Sequence, residues 1–171
     1  MKHAILAILT EGPAYGLQLR GELTRRLPRE RPINVGQVYS TLDRLVRDGF
    51  AEQRAQTDDG LPLYAVTDAG RALADSWLTE PIADEQHPWE TMLAQVAMAV
   101  SLPGRDADVL LNAYETLWQA RLDSVHDESP GQLAQRHLAL AALSWLAELR
   151  EVAPQPFAVS HERPPRGRPR Q

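Results

Sequence analysis

The sequence predicts a mainly α-helical protein with one small β-hairpin. Three observations support this prediction. Apolar residues recur at helical spacing across residues 34–50, short strand-like runs flank a Thr-Asp-Asp-Gly turn at 57–60, and Pro-Gly pairs divide the second half into helical segments. With 43% hydrophobic residues, the 171-residue chain has enough apolar material to bury a core.

The first two helices are short and lead to a third. The segment from His3 to Leu9 is almost wholly apolar, so we expect it to be buried by its neighbours. Gly12-Pro13 ends it, and a second helix follows from about Tyr15 to Leu27 with leucines on one face. A basic loop between Pro28 and Pro32 then leads into the third helix.

The third predicted helix has one apolar stripe and one polar face. Asn34 and Gln37 form a capping pair at its start, and Gly49 supplies the left-handed residue that ends it. The stripe consists of Val38, Leu42, Leu45 and Val46. The face predicted to point away from this stripe consists of Gln37, Ser40, Thr41, Arg44 and Arg47. Such amide, hydroxyl and guanidinium groups hydrogen-bond base edges and phosphates from a helix in a major groove.

A β-hairpin and a fourth helix complete the amino-terminal pattern. The runs 50–55 and 63–66 are typical of two short strands, and Thr67 is a capping residue for a helix that extends to about Leu78. Three helices, a hairpin and a helix in this order indicate a winged helix-turn-helix domain. In this plan the third helix enters the major groove and the hairpin, or wing, reaches the flanking backbone.

Charge is distributed unevenly along the chain. The net charge is −5, but residues 1–80 hold 10 Lys/Arg against 11 Asp/Glu, residues 81–160 hold 4 against 11, and residues 161–171 hold 4 against 1. The acidic excess is therefore confined to the middle of the chain, which is an unfavourable surface for DNA. The Arg25/Arg26 pair and the arginines of the third helix favour DNA as the partner of the amino-terminal domain.

Three ordered segments resemble the PadR family of bacterial transcriptional regulators. They span residues 6–16, 35–45 and 64–71. The matching positions are Gly12, Pro13, Gly16, Gly36, Val38, Tyr39, Leu42, Leu45, Tyr64, Thr67 and Gly70. The resemblance implies a dimeric DNA-binding regulator, usually a repressor that a small molecule releases. The wing departs from the family pattern, because Gly60-Leu61-Pro62-Leu63 stands where basic residues are common.

The second half of the chain is predicted to form a helical dimerisation domain. After a polar linker at 81–88, helices are expected at about 89–101, 105–127 and 132–152. The last two, each over twenty residues long, have apolar faces that exceed what the chain itself is expected to cover, which favours a homodimer. The run 137–149 also resembles the carboxyl-terminal dimerisation helix of longer PadR-type proteins. Large side chains here either pack the core or line a pocket for a small apolar or aromatic effector: Trp89, Met92, Tyr114, Trp118 and Trp145.

The chain ends in a segment rich in proline and arginine. Residues 153–171 lack periodicity and are predicted to be disordered. Within them, the run 166–170 resembles an AT-hook, a short arm that inserts arginines into a narrow minor groove. A basic disordered tail without this role is the alternative.

These features together predict a transcriptional regulator of double-stranded DNA that acts as a dimeric repressor on a pseudo-palindromic operator. The alternative is a winged-helix protein-interaction module without specific DNA binding. The predicted domains are 1–80 (winged helix-turn-helix), 81–88 (linker), 89–152 (dimerisation) and 153–171 (tail). The predicted DNA contacts are Asn34, Gln37, Tyr39, Ser40, Thr41, Arg44, Arg47, Arg54, Arg166 and Arg168.

No enzymatic activity and no cofactor are predicted. The sequence has no cysteine, and its five histidines lack the spacing of metal ligands, so no metal site is expected. We also expect no membrane span, since no run of eighteen apolar residues occurs, and no signal peptide. A cytoplasmic location follows from these expectations.

Overall fold

The computed structural model describes residues 1–28, 32–57, 60–126 and 129–160. Within these residues the chain forms seven helices and a two-stranded antiparallel hairpin. The elements are α1 (Lys2–Leu9), α2 (Gly16–Arg26), α3 (Val35–Arg47), β1 (Ala51–Gln56), β2 (Pro62–Val66), α4 (Asp68–Thr79), α5 (Pro88–Ser101), α6 (Asp108–Asp123) and α7 (Pro130–Val152). The mainly α fold with one hairpin is therefore confirmed.

The chain divides into two compact units. Unit 1 contains Met1–Ala74 together with the segment that begins at Ala158, and unit 2 contains Asp75–Phe157. The boundary between the units lies inside α4, before the boundary predicted at residue 80.

Unit 1 has a core formed by α1, α2, α3 and the hairpin. Every residue from Ala4 to Leu9 is buried, as its apolar sequence predicts. Leu19 and Leu23 of α2 and Leu42 of α3 are fully enclosed. Since apolar burial is the main favourable contribution to folding, this core determines how α3 is held.

The hairpin is extended by a short contact with the first turn. Ala51 pairs with Val66 at one end of the ladder and Gln56 with Pro62 at the other, with a bulge between Gln53 and Ala55. On the open edge of β2, Ala14 exchanges both backbone hydrogen bonds with Tyr64, each of 3.0 Å. Sequence periodicity did not predict this bridge, which covers part of a strand edge that would otherwise be free to pair.

Unit 2 contains α5, α6 and α7, with α6 packed along α7. The prediction for α6 is wrong in length, because the helix has 16 residues and begins at Asp108. The Asp106 carboxylate accepts a hydrogen bond from the Asp108 backbone N–H, at 2.9 Å, and this local turn competes with an earlier start of the helix. No helix in the described part of the chain is both long and apolar enough to span a membrane.

Candidate nucleic-acid interface

Helix α3 begins and ends with well-defined caps. The Asn34 side chain accepts a hydrogen bond from the Gly36 N–H at 2.8 Å, as expected of an N-cap residue. At the other end, Gly49 has a φ of 78° and donates to Val46 O, while the Phe50 N–H donates to Leu45 O at 2.9 Å. This pair of bonds is the Schellman arrangement. The predicted start and end of α3 are both confirmed.

The outward face of α3 carries an amide, a hydroxyl and two guanidinium groups. Gln37, Ser40, Arg44 and Arg47 are all exposed. The Ser40 hydroxyl donates to Gln37 O at 3.2 Å, and Arg47 Nε lies 2.9 Å from Asp48 Oδ1. Because the Arg47 and Asp48 side chains are 69% and 47% exposed, this ion pair is weak and leaves Arg47 able to exchange partners.

Thr41 does not belong to this outward face, and its prediction as an exposed recognition residue is wrong. The residue is only 5% exposed, and its hydroxyl donates to Gln37 O at 2.7 Å. It also accepts from an Arg44 guanidinium nitrogen at 3.3 Å. Position 41 lies three residues after Val38 and four before Leu45, which is the spacing of the buried face. The buried Thr41 hydroxyl therefore orients the Arg44 side chain through this hydrogen bond.

Tyr39 packs between two helices. A Cβ atom on Gly16 would lie 2.6 Å from two carbons of the Tyr39 ring, so the ring lies directly against the first residue of α2. Tyr39 is half-buried. Its position explains why these two residue types occur together: glycine allows the close approach, and the ring then fixes α3 against α2.

The Arg25/Arg26 pair does not present two free charges to DNA. Arg26 is buried and its Nε donates to Glu22 Oε2 at 2.9 Å, while an Arg25 guanidinium nitrogen lies 3.2 Å from the same oxygen. The Glu22 side chain is 2% exposed. This buried carboxylate is absent from the residues predicted from the sequence, although its spacing of four residues from Arg26 is the signal of a helical ion pair.

The wing contributes one exposed arginine. Arg54 lies at the bulge of β1, where an extra residue redirects its side chain, and its Nε is 2.5 Å from Glu52 Oε1. Leu61 and Leu63 are half-buried, so the apolar residues of the wing do not form an exposed patch. The predicted contacts Arg166 and Arg168 lie outside the described residues.

The aromatic and methionine residues predicted to line an effector pocket are all in unit 2, where they have different roles. Met92 and Tyr114 are buried, and Trp89 packs against Trp145 with ring centroids 5.7 Å apart. Trp118 is also buried, and its Nε1 lies 2.9 Å from Met92 Sδ. Three of the five thus contribute chiefly to the core.

Tyr114 is held by hydrogen bonds at both sides of its hydroxyl. The hydroxyl donates to Gln95 Oε1 and accepts from the Ile82 N–H at 3.2 Å. The Gln95 amide in turn donates to the carbonyl oxygens of Trp77 and Glu80. Burial raises the pKa of Tyr114 to about 12, so the phenol is neutral at physiological pH. Tyr114 is therefore a structural residue that joins the start of unit 2 to α6.

Among the five predicted residues, Trp118 borders a cleft formed by residues that the structure describes. The cleft has a volume of about 390 Å³ and lies within unit 2. The Arg121 guanidinium carbon lies 4.7 Å from the centre of the Trp118 ring, and an Arg121 nitrogen donates to Asp84 O at 2.8 Å. The remaining lining residues are Glu85, Pro88, Ser124, Gln135 and Leu138. This polar lining could not be predicted from the sequence, because its residues come from separate helices and a loop.

A cluster of three or more potential metal ligands does not occur among the residues that the structure describes. A polar third helix followed directly by a hairpin, both held by a helical core, defines unit 1 as a winged helix-turn-helix domain.

Comparison with known proteins identifies the family of this domain. Residues 5–76 match the model of the "Transcriptional regulator PadR-like family". The amino-terminal domain therefore belongs to the PadR-like family of transcriptional regulators, as the resemblance implied. No curated protein sequence matches the chain.

Several solved structures show a distant likeness to the chain. Bacillus subtilis PadR in complex with operator DNA has 19% identity and a TM-score of 0.44, with 89% of this chain and 96% of that chain covered. The same protein in complex with p-coumaric acid has 19% identity and a TM-score of 0.43, covering 89% and 97%. Smu.1604c from Streptococcus mutans UA159 has 21% identity and a TM-score of 0.42, covering 89% and 95%.

Proposed function

We propose that the chain is a DNA-binding transcriptional regulator that acts as a dimeric repressor and is released by a small molecule. The exposed face of α3 is the observation that carries the proposal. It combines Gln37 and Ser40, which suit base edges, with Arg44 and Arg47, which suit guanine or phosphate. One acidic side chain, Asp43, is also exposed on α3, three residues after Ser40 and four before Arg47.

Arg44 is the central residue of the proposed contact with DNA. Its hydrogen bond to the buried Thr41 hydroxyl restricts the guanidinium before DNA arrives. A restricted side chain loses less conformational entropy on binding, so its contact contributes more to affinity. Asn34 and Arg54 would contact the backbone from the start of α3 and from the wing, and Tyr39 would act by holding α3 in place.

The wing is expected to contribute little to DNA affinity. Arg54 is the one arginine among wing residues 51–66, and its exposed ion pair with Glu52 is as weak as that of Arg47 with Asp48. Since α3 carries two exposed arginines, Arg44 and Arg47, it would make the larger electrostatic contribution. The half-buried state of Leu61 and Leu63 also weakens the alternative hypothesis of a protein-interaction module, because that hypothesis needs an exposed apolar wing.

A homodimer through residues 89–152 is supported by the apolar surface of α7. Although α7 packs along α6 on one side, Leu140 is 44% exposed and Val152 is 75% exposed. A second copy of the same face would cover these side chains by two-fold symmetry. Two copies of α3 would then meet a pseudo-palindromic operator with half-sites about one helical turn apart, roughly 34 Å.

The cleft beside Trp118 is the proposed effector site. Its volume of about 390 Å³ suits a small molecule, and its lining combines the Arg121 cation and the polar groups of Ser124 and Gln135 with the almost fully buried Trp118 ring. A ligand that binds one dimer geometry better than another would shift the population toward it and change the spacing of the recognition helices.

The test is a fluorescence-anisotropy titration of the full-length protein on DNA from upstream of its own gene, with non-specific competitor present. Arg44→Ala should weaken specific binding by about 1–3 kcal/mol if the guanidinium makes a bidentate base contact. Arg71→Ala, which removes one exposed arginine of α4, controls for the change in net charge and should bind like the parent. Parent-like binding by Arg44→Ala would refute the assignment of the α3 face.

A further inference from the structure

The segment 158–160 is fixed to α2 by hydrogen bonds to its backbone. The Ser160 N–H donates to Glu22 Oε1 at 2.9 Å, and Ser160 O accepts from Gln18 Nε2 at 2.8 Å. An Arg25 guanidinium nitrogen donates to Ala158 O at 3.1 Å. These contacts explain why the segment from Ala158 belongs to unit 1 although it follows the helices of unit 2 in sequence. We name this segment the C-terminal anchor.

Burial and an ion pair within α2 fix the side chains that hold the C-terminal anchor. Gln18 and Glu22 are one helical turn apart and both are buried. Arg26 binds one oxygen of the Glu22 carboxylate, Oε2, while the Ser160 N–H binds the other, Oε1. Hydrogen bonds to a charged acceptor are stronger than neutral ones, and burial limits competition by water. The site is thus a fixed receptor for one extended peptide unit.

The sequence that follows the C-terminal anchor is strongly basic. Residues 161–171 hold 4 arginines against 1 glutamate, and they contain the Arg-Gly-Arg-Pro-Arg run at 166–170. The described wing, by contrast, carries one arginine, Arg54, in an exposed ion pair with Glu52. In a helix-turn-helix domain the helix before the recognition helix crosses the DNA backbone. In the proposed complex with DNA, a chain that leaves α2 at Ser160 would therefore start close to the duplex.

We propose that the C-terminal anchor fixes the arginine-rich segment 161–171 to the DNA-binding unit, so that its arginines bind the minor groove of A·T-rich DNA beside the site that α3 contacts. This inference rests on the proposed function. A narrow minor groove concentrates negative potential and attracts arginine. Fixing the chain at Ser160 raises the effective concentration of the arginines near that groove, since it shortens the free length between the domain and the DNA.

The experiment is a double-mutant cycle measured by anisotropy on operator duplexes with A·T-rich or G·C-rich flanks. Removal of residues 161–171 should weaken binding to the A·T-flanked duplex on the order of tenfold. It should also reduce the steepness of the slope of log K against log salt concentration by about three to four, since four arginines are lost. Gln18→Met removes the donor to Ser160 O while conserving side-chain volume, and Ser160→Pro removes the N–H that binds Glu22. Each should weaken binding about two- to threefold in the full-length chain and leave the truncated chain unchanged.

Gln119→Met is the matched control, since it removes an amide of α6 whose partner is Asp123. It should behave like the parent in both backgrounds. Nuclear magnetic resonance of the protein without DNA can measure the hydrogen-exchange rate of the Ser160 amide. This rate should be low in the parent and high in Gln18→Met.

The outcomes separate this inference from the proposed function. If the full-length chain fails to bind the operator better than competitor, the proposed function falls, and the arm with it. If the full-length chain binds but truncation changes neither affinity nor salt dependence, only the arm is refuted. Equal losses on both flanks would refute the minor-groove location, and an unprotected Ser160 amide or anchor variants without effect would refute the role of the C-terminal anchor.

Discussion

Replacing Gly70 by alanine should damage the link between the wing and α4. A Cβ atom at this position would lie 1.9 Å from Phe50 O, 2.8 Å from Phe50 C and 2.9 Å from Val66 Cγ2. The first of these atoms is backbone and already accepts the Thr67 N–H. A backbone oxygen cannot rotate away as a side chain would. To reach a normal van der Waals distance of about 3.5 Å between the new Cβ and Phe50 O, β1 or the first turn of α4 must move by more than about 1 Å.

The cost of this movement is expected to exceed that of ordinary overpacking. Inserted methylene groups in a packed core cost about 1–3 kcal/mol, and here the displaced atoms are backbone with a hydrogen bond to lose. We therefore expect Gly70→Ala to lower the free energy of unfolding by about 3 kcal/mol or more. With a urea m-value of about 2 kcal/mol/M, the midpoint should fall by roughly 1.5 M.

Gly21→Ala is the matched control for this experiment. Gly21 lies inside α2 in exposed surroundings, and an added Cβ there meets nothing within 4 Å. The same substitution should therefore raise stability by about 0.5–1 kcal/mol, since alanine has the higher helix propensity. Urea unfolding followed by circular dichroism measures both. Equal midpoints for Gly70→Ala and the parent, or a loss in Gly21→Ala as large as in Gly70→Ala, would refute the packing argument.

Two further substitutions test polar contacts. Thr67→Ala should cost about 1–2 kcal/mol by urea unfolding, because the hydroxyl caps α4 through the Gly70 N–H and also donates to Gly49 O; a loss below about 0.5 kcal/mol would argue against this double role. Tyr114→Phe should cost about 1–3 kcal/mol at neutral pH, since it leaves the buried Gln95 oxygen without its donor. The Tyr114 pKa is raised from 10.0 to about 12, so the unfolded chain loses this proton first and parent stability should decline between those two pH values. The decline should be smaller in Tyr114→Phe, and an identical decline would show that another group causes it.

The local pattern of the amino-terminal half was sufficient to predict its elements. Asn34, Gly49 and Thr67 each mark a helix end through hydrogen bonds within a few residues, so their roles follow from residue type and spacing. The alternation and turn of the hairpin are likewise local signals. These elements, in this order, gave the fold class before any long-range contact was known.

The errors concern residues whose environment depends on distant parts of the chain. Arg26 has the composition of a DNA contact, but its burial with Glu22 depends on the packing of α2. Tyr39 stays a predicted DNA contact, but the packing of its ring against Gly16 of another helix could not be predicted from its neighbours in the sequence. Thr41 is the exception, because its spacing from Val38 already placed it on the buried face.

The sequence by itself determined the succession of helices and strands, the capping of α3 and the family of the amino-terminal domain. Each of these depends on residues that are close together in the chain. Only the tertiary structure decided which polar groups are exposed and which are paired. It also showed that the C-terminal anchor binds Gln18 and Glu22, across a sequence separation of 142 residues in the first case. A contact of this kind has no periodic signal, because its geometry arises only when the domain core has brought the two segments together.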